Sequence, residues 1–127
     1  MHIPHNIGIA SQIGKYSDAI EVPPNTRWLI SAGTPGLMAD GTLPTDITGQ
    51  AELAWANIFR ILEAADMGIK DVVKITHYLT RESDVPDYVK VRSRLIGDAR
   101  PASMLMVIPA LVRPEFLIEI EIIAAKS

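Results

Sequence analysis

Asp71-Val72-Val73-Lys74-Ile75-Thr76-His77-Tyr78-Leu79-Thr80 alternates with a period of two. Val73, Ile75, His77 and Leu79 fall on one side; Val72, Lys74, Thr76 and Tyr78 fall on the other. That is the pattern of a strand. Upstream, Ile47, Ala51, Ala54, Ile58, Ile61, Leu62 and Ala65 recur at steps of three and four. They line one face of a helix over residues 46–66, and Trp55 and Phe59 widen that face. Thr45 or Asp46 can cap its start and Gly68 can end it. Downstream, Asp84 caps a second helix with Pro86 in its first turn, and its inner stripe is Val85, Tyr88, Val89, Leu95 and Ile96.

The outer segments read as strands. Asp18–Val22 and Arg27–Ser31 flank Pro23-Pro24-Asn25, so an antiparallel hairpin is expected. Ala102–Ile108 is almost wholly apolar, which suits a central strand buried on both faces. Glu115–Ala125 alternates, with Phe116, Ile118, Ile120 and Ile122 opposite Leu117, Glu119, Glu121 and Ile123. The order β-β-α-β-α-β-β, two helices with one mixed sheet, defines an α+β class. No linker or repeat divides the chain, so residues 1–127 read as a single domain.

Composition narrows the function. Twelve Lys and Arg stand against fifteen Asp and Glu, for a net charge of −3, with no basic stripe for a nucleic acid. Cysteine is absent, which removes disulfides, thiolate catalysis and Cys-based zinc sites. No apolar run reaches the ~18 residues that span a bilayer. Met1–Ala10 lacks a basic stretch followed by an apolar core, so no signal peptide and a cytoplasmic location are expected. Mean hydropathy is +0.19. For a small chain that hints at apolar surface buried between subunits.

Among polar residues, Glu119 and Glu121 come first. Two apart on a strand, both point to the same side beside Leu117 and Ile123. A carboxylate among apolar groups gains a raised pKa and can carry a proton; a solvated outer sheet face is the plainer account. His77 is either a proton carrier or a half-buried packing residue. Arg92, within the inner stripe of the second helix, either reaches an anion or snorkels to solvent. His2 and His5 lack a third ligand, so no metal site is expected. No phosphate-binding glycine loop and no Gly-x-Ser-x-Gly elbow is present.

Several segments, taken in order, resemble the reactive-intermediate deaminase family (Rid or YjgF type, also labelled endoribonuclease L-PSP). Ile13-Gly14-Lys15-Tyr16-Ser17-Asp18-Ala19 is similar to its Gly-Pro-Tyr-Ser-x-Ala opening. Leu29-Ile30-Ser31-Ala32-Gly33-Thr34 resembles its strand ending in Ser-Gly-Gln. Val72–Leu79 resembles its Val-Val-Lys-x-Thr-x-Phe-Leu strand, and Arg100-Pro101-Ala102-Ser103 falls at its Pro-Ala-Arg-Ser. Ile118-Glu119-Ile120-Glu121-Ile122-Ile123-Ala124 resembles its closing strand. The resemblance runs from Ile13 to Ala125.

It implies a chorismate-mutase-like fold and a homotrimer with clefts between subunits, where enamines or imines are hydrolysed to ammonia and a keto acid without a cofactor. It also implies roles: Tyr16 as the cleft tyrosine, Glu119 as the residue that positions water, and Gly33 at the cleft wall. The family's carboxylate-clamping arginine falls at Ser103. Arg100, three positions earlier, is the one nearby replacement. The family's asparagine falls at Val89, its cysteine at Leu105, and its serine at Ala32, with Ser31 adjacent. Such a cleft suits a less anionic or more hydrophobic small molecule. The alternatives are a non-catalytic trimer that binds a metabolite or a partner, and, disfavoured by charge, a ribonuclease.

Overall fold

The structure, a computed structural model, describes residues 2–127. Its centre is the expected alternating strand, β5 (Val72–Leu79), flanked by β7 (Ile118–Lys126) and β6 (Ala102–Val107). The main sheet runs β3 (Arg27–Ile30), β7, β5, β6, and the two-residue β4 (Thr34–Pro35) also pairs with β7. β7 is antiparallel to β3 and β5, whereas β5 and β6 are parallel. Parallel neighbours need a crossover, and the helix α2 (Val85–Ile96) supplies it. The sheet is therefore mixed, with α1 (Ile47–Ala64) and α2 on one face, an α+β fold.

The core lies between the helices and that face. Ile75, His77 and Leu79 from β5 and Ile118, Ile120 and Ile122 from β7 are all buried there. They meet Ala51, Ala54, Trp55, Ile58 and Leu62 of α1 and Tyr88 of α2. Each large aliphatic side chain buried this way stabilises the fold by about 1.5–3 kcal/mol. Gln50, 1% exposed, fixes where β7 begins. Its Nε2 donates to the Pro44 and Glu115 carbonyls at 2.8 and 2.9 Å, and its Oε1 accepts from Leu117 N at 2.8 Å.

Four sequence expectations are corrected. Residues 18–22 and 27–31 do not form a hairpin. β2 (Ala19–Glu21) pairs instead with β1 (Ile3–His5) in a separate two-stranded sheet, while β3 pairs with β7. The Pro-Pro-Asn turn redirects the chain between sheets, and Asn25 takes a positive φ of 61°. β6 is not central: it is an edge strand, with Met104 51% and Val107 45% exposed. Its apolar run reflects an uncovered edge, not burial on two faces. α1 ends before Gly68, because Asp66 adopts the left-handed conformation (φ 55°) just past the Ala65 cap. Along α2, Val91 is buried whereas Val89 is only half-buried, so the inner stripe is rotated from the expected one.

Candidate functional site

The N-terminal loop folds back along the sheet edge. Asp18 holds it: its carboxylate accepts from the backbone N–H of Ile7 at 2.9 Å and of Ala10 at 2.8 Å. Those donors, Ile7 first, hold its pKa below the usual carboxylate range. Ser17 then bridges Ala102 in parallel, and Ser17 N donates to the Pro101 carbonyl at 3.1 Å. This carries Tyr16 to the start of β6. The result is a cavity of about 490 Å³ between the loop, α2 and β6, lined by Lys15, Tyr16, Val89, Arg92, Ser103 and Leu105 among others. Five residues singled out in the sequence thus converge: Tyr16, Val89, Arg92, Ser103 and Leu105.

Glu119 and Gly33 lie elsewhere. Tyr78 pairs with Glu119 and Thr76 with Glu121, so these four share the sheet face away from the helices. Tyr78 Oη donates to Glu121 Oε1 at 2.6 Å, which raises the tyrosine's pKa. Glu119 is half-buried, and burial, then the neighbouring Glu121 charge, raises its pKa. Gly33 is pressed against it, and a Cβ there would stand 2.6 Å from Glu119 Oε1. Ser31 does not serve this site, because its Oγ accepts from Ile122 N and donates to the Ala32 carbonyl, both at 2.9 Å.

Arg100 is outside both groups. It is exposed, and its Nη1 donates to the Gly97 and Ala99 carbonyls at 2.8 Å. It lines a different recess, of about 270 Å³, with His2, Pro4 and Ser17. The histidines near the N-terminus are likewise separate: His2 Nε2 meets the Ala125 carbonyl at 2.9 Å, and His5 Nε2 meets Glu21 at 2.7 Å. Among the described residues no cluster of three or more metal-ligating side chains occurs.

Sequence reasoning missed Lys15, which lines the cavity; Arg92, left open between an anion and solvent, lines it too. Behind Ser103 lies a buried polar chain. Trp55 Nε1 donates to Tyr88 Oη at 3.3 Å, Tyr88 Oη meets His77 Nδ1, and His77 Nε2 meets Ser103 Oγ at 2.9 Å. Burial, and secondarily the positive charge of Arg92, pushes the His77 pKa from 6.5 down to about 3, so the imidazole is neutral at pH 7. The available signal was the shared face of His77 with Ile75 and Leu79; the register that sets His77 beside Leu105 was not in the pattern.

The endoribonuclease L-PSP family model matches residues 9–126. The chain therefore belongs to that family, the Rid/YjgF group. A RutC family protein of Pyrococcus horikoshii is 34% identical over 117 residues, covering 91% of this chain and 90% of the relative. Among solved structures, RidA from the Antarctic bacterium Psychrobacter is 32% identical with a TM-score of 0.72, over 88% of this chain and 89% of its own. A Rid family protein of unknown function, YyfB from Yersinia pestis, is 25% identical with a TM-score of 0.84 over 98% of each chain. Membership supports a deaminase or small-molecule-binding role in general terms. No helix among the described residues is long and apolar enough to cross a membrane.

Proposed function

We propose that the chain hydrolyses a small enamine or imine in clefts between the subunits of a homotrimer, on a substrate shifted from the usual 2-imino acids. The observation that carries this reading is the split site. A cavity with Tyr16 and Ser103 opens at the edge strand β6, beside the Ser17–Ala102 bridge, while Glu119 and Gly33 sit on the sheet face away from α1 and α2. In this reading a second copy packs its Glu119 face near that edge and completes the cleft. Exposed Trp28, Ile30, Met104 and Val107 give such packing its apolar surface.

The chemistry follows from the groups. Glu119, with its raised pKa, takes a proton from water as the oxygen attacks the C=N carbon. That proton passes to the nitrogen to complete the neutral carbinolamine, and Glu119 then carries the carbinolamine hydroxyl proton to the same nitrogen. The C–N bond then breaks, ammonia leaves and a carbonyl forms, so C=NH and H₂O become C=O and NH₃. Tyr16 holds the substrate through its hydroxyl, and Val89 and Leu105 face its apolar part. No cofactor enters this scheme.

The test is ammonia and keto-acid release from imines generated in situ by a threonine dehydratase, against buffer-only hydrolysis. Acceleration by the wild type and its loss in Glu119→Ala supports the reading. Release no faster than buffer, from these imines and from imines with bulkier apolar groups, sinks it. A second reading, a non-catalytic metabolite-binding trimer, is favoured by Ser103 standing where the family's arginine falls. Ligand-induced melting shifts without turnover would select it.

A further inference from the structure

Two carboxylates, Glu119 and Glu121, stand on one sheet face, and the proposed reaction uses only Glu119. Their surroundings differ. Tyr78 is paired with Glu119 across the strands, yet its Oη reaches along the diagonal and donates to Glu121 Oε1 at 2.6 Å. The Tyr78 pKa is raised, first by that bond, so the hydroxyl keeps its proton at neutral pH and donates it. The length is that of a hydroxyl on an ionised carboxylate, a bond about twice as strong as one between neutral groups. Glu121 is therefore held in one orientation as an anion. Among the described residues no donor reaches the Glu119 carboxylate, whose Oε1 lies against Gly33.

Nothing else on this face balances that anion. β4 presents Pro35, β3 presents Trp28 and Ile30, and β6 presents Met104 and Met106, none of them charged. The one cation is Lys74 of β5, opposite Ile123, at the next same-face pair beyond Glu121. It makes no ion pair among the described residues. Glu121 thus acts on Glu119 from two positions along the strand, about 7 Å away. A fixed negative charge at that distance opposes the loss of a proton from Glu119 and makes it a stronger base than an isolated carboxylate. In the motif that Val72–Leu79 resembles, Phe stands at the Tyr78 position, so the hydroxyl is this chain's own addition.

We propose that Tyr78 and Glu121 are positioning residues for the reaction: the Tyr78 hydroxyl pins the Glu121 carboxylate beside Glu119 as a fixed anion, and so directs the proton taken from water to Glu119. The inference rests on the reading of Glu119 as the base. Neither residue touches the substrate in this arrangement; both act through Glu119.

The test follows the Glu119 carboxyl carbon by NMR through a pH titration of the assembled protein, its signal assigned by its loss in Glu119→Gln. The pH profile of kcat/KM for imine hydrolysis is measured beside it. In the wild type the Glu119 midpoint lies above 4.5. Glu121→Gln should lower the midpoint, and the acid limb of the profile with it, by about 0.5 pH unit or more, the shift that a unit charge about 7 Å away exerts through water. Tyr78→Phe, which restores the residue of the motif, should lower both by a smaller step. Unpinned, the Glu121 carboxylate swings away from the like charge or takes up a proton in place of Glu119. In the Glu121→Gln background Tyr78→Phe should shift neither, because the group it acts through is gone. A Tyr78 that served packing alone would change activity at every pH and leave the midpoint where it was. A midpoint unmoved in Glu121→Gln or in Tyr78→Phe, or a further shift in the double variant, would overturn the inference. Failure of the base reading is seen separately, as midpoints that move as expected while ammonia release is absent or its acid limb stays in place.

Discussion

Gly33→Ala is the sharpest probe of Glu119. The added Cβ would stand 2.6 Å from Glu119 Oε1, where ordinary contact begins at 3.4 Å, so the carboxylate must retreat by about 0.8 Å. The cost to the fold is small. Gly33 is exposed, its φ lies outside the left-handed region, and the atom it meets is the free end of a side chain. The cost to catalysis is not. A misplacement of about 1 Å can cost on the order of a hundredfold in rate, because proton transfer needs hydrogen-bond reach. We expect kcat/KM for imine hydrolysis to fall about 10- to 100-fold, with Tm changed by no more than about 2 °C. Sedimentation should show the same assembly as wild type. In a Glu119→Ala background the same substitution should cost nothing further, because the group it displaces is gone. Full activity in Gly33→Ala would refute the placement of Glu119 as the base.

The other predictions concern charge and buried hydrogen bonds. Burial, then Glu121, raises the Glu119 pKa above its unfolded value, so its ionised form destabilises the fold as pH rises past 4.5. Glu119→Gln should therefore melt higher than wild type at neutral pH and show no gain below pH 4.5, while turnover is lost. The His77 pKa is depressed to about 3, so its contribution is complete above the unfolded value of 6.5 and is lost as pH falls toward 3. The loss approaches about 1.4 kcal/mol per pH unit, and His77→Asn should flatten it in urea titrations across that window. Gln50→Leu leaves the buried Leu117 N–H and two carbonyls without their partner. It should cost about 3 kcal/mol in urea unfolding at fixed protein concentration, and a neutral result would show that the loop relaxes to water.

What the sequence disclosed depended on the range of the interaction that decides each feature. β5 and β7 were legible because each buries one face, so alternation is enforced residue by residue: Ile75, His77 and Leu79 on one strand, Ile118, Ile120 and Ile122 on the other. α1 was legible for the same reason at a period of 3.6. Pairing partners were not, because they depend on contacts remote in sequence. β3 reads as the neighbour of β2 across a three-residue turn, yet its partner is β7, nearly a hundred residues away. β6 misled because an apolar strand reads the same whether it is central or an uncovered edge. The site divides along the same line. Tyr16, Glu119 and Gly33 came from the resemblance, residue by residue. Arg92 stood in the sequence as an arginine in an apolar stripe, with two readings left open. Only the fold brings it to the cavity that Ser103 lines, on a helix that ends before the Arg100-Pro101 loop begins. The arginine nearest Ser103 in sequence is Arg100, whose Nη1 donates to the Gly97 and Ala99 carbonyls. The nearer residue along the chain lines a different recess, whereas Arg92 and Ser103, eleven positions apart in sequence, line one cavity.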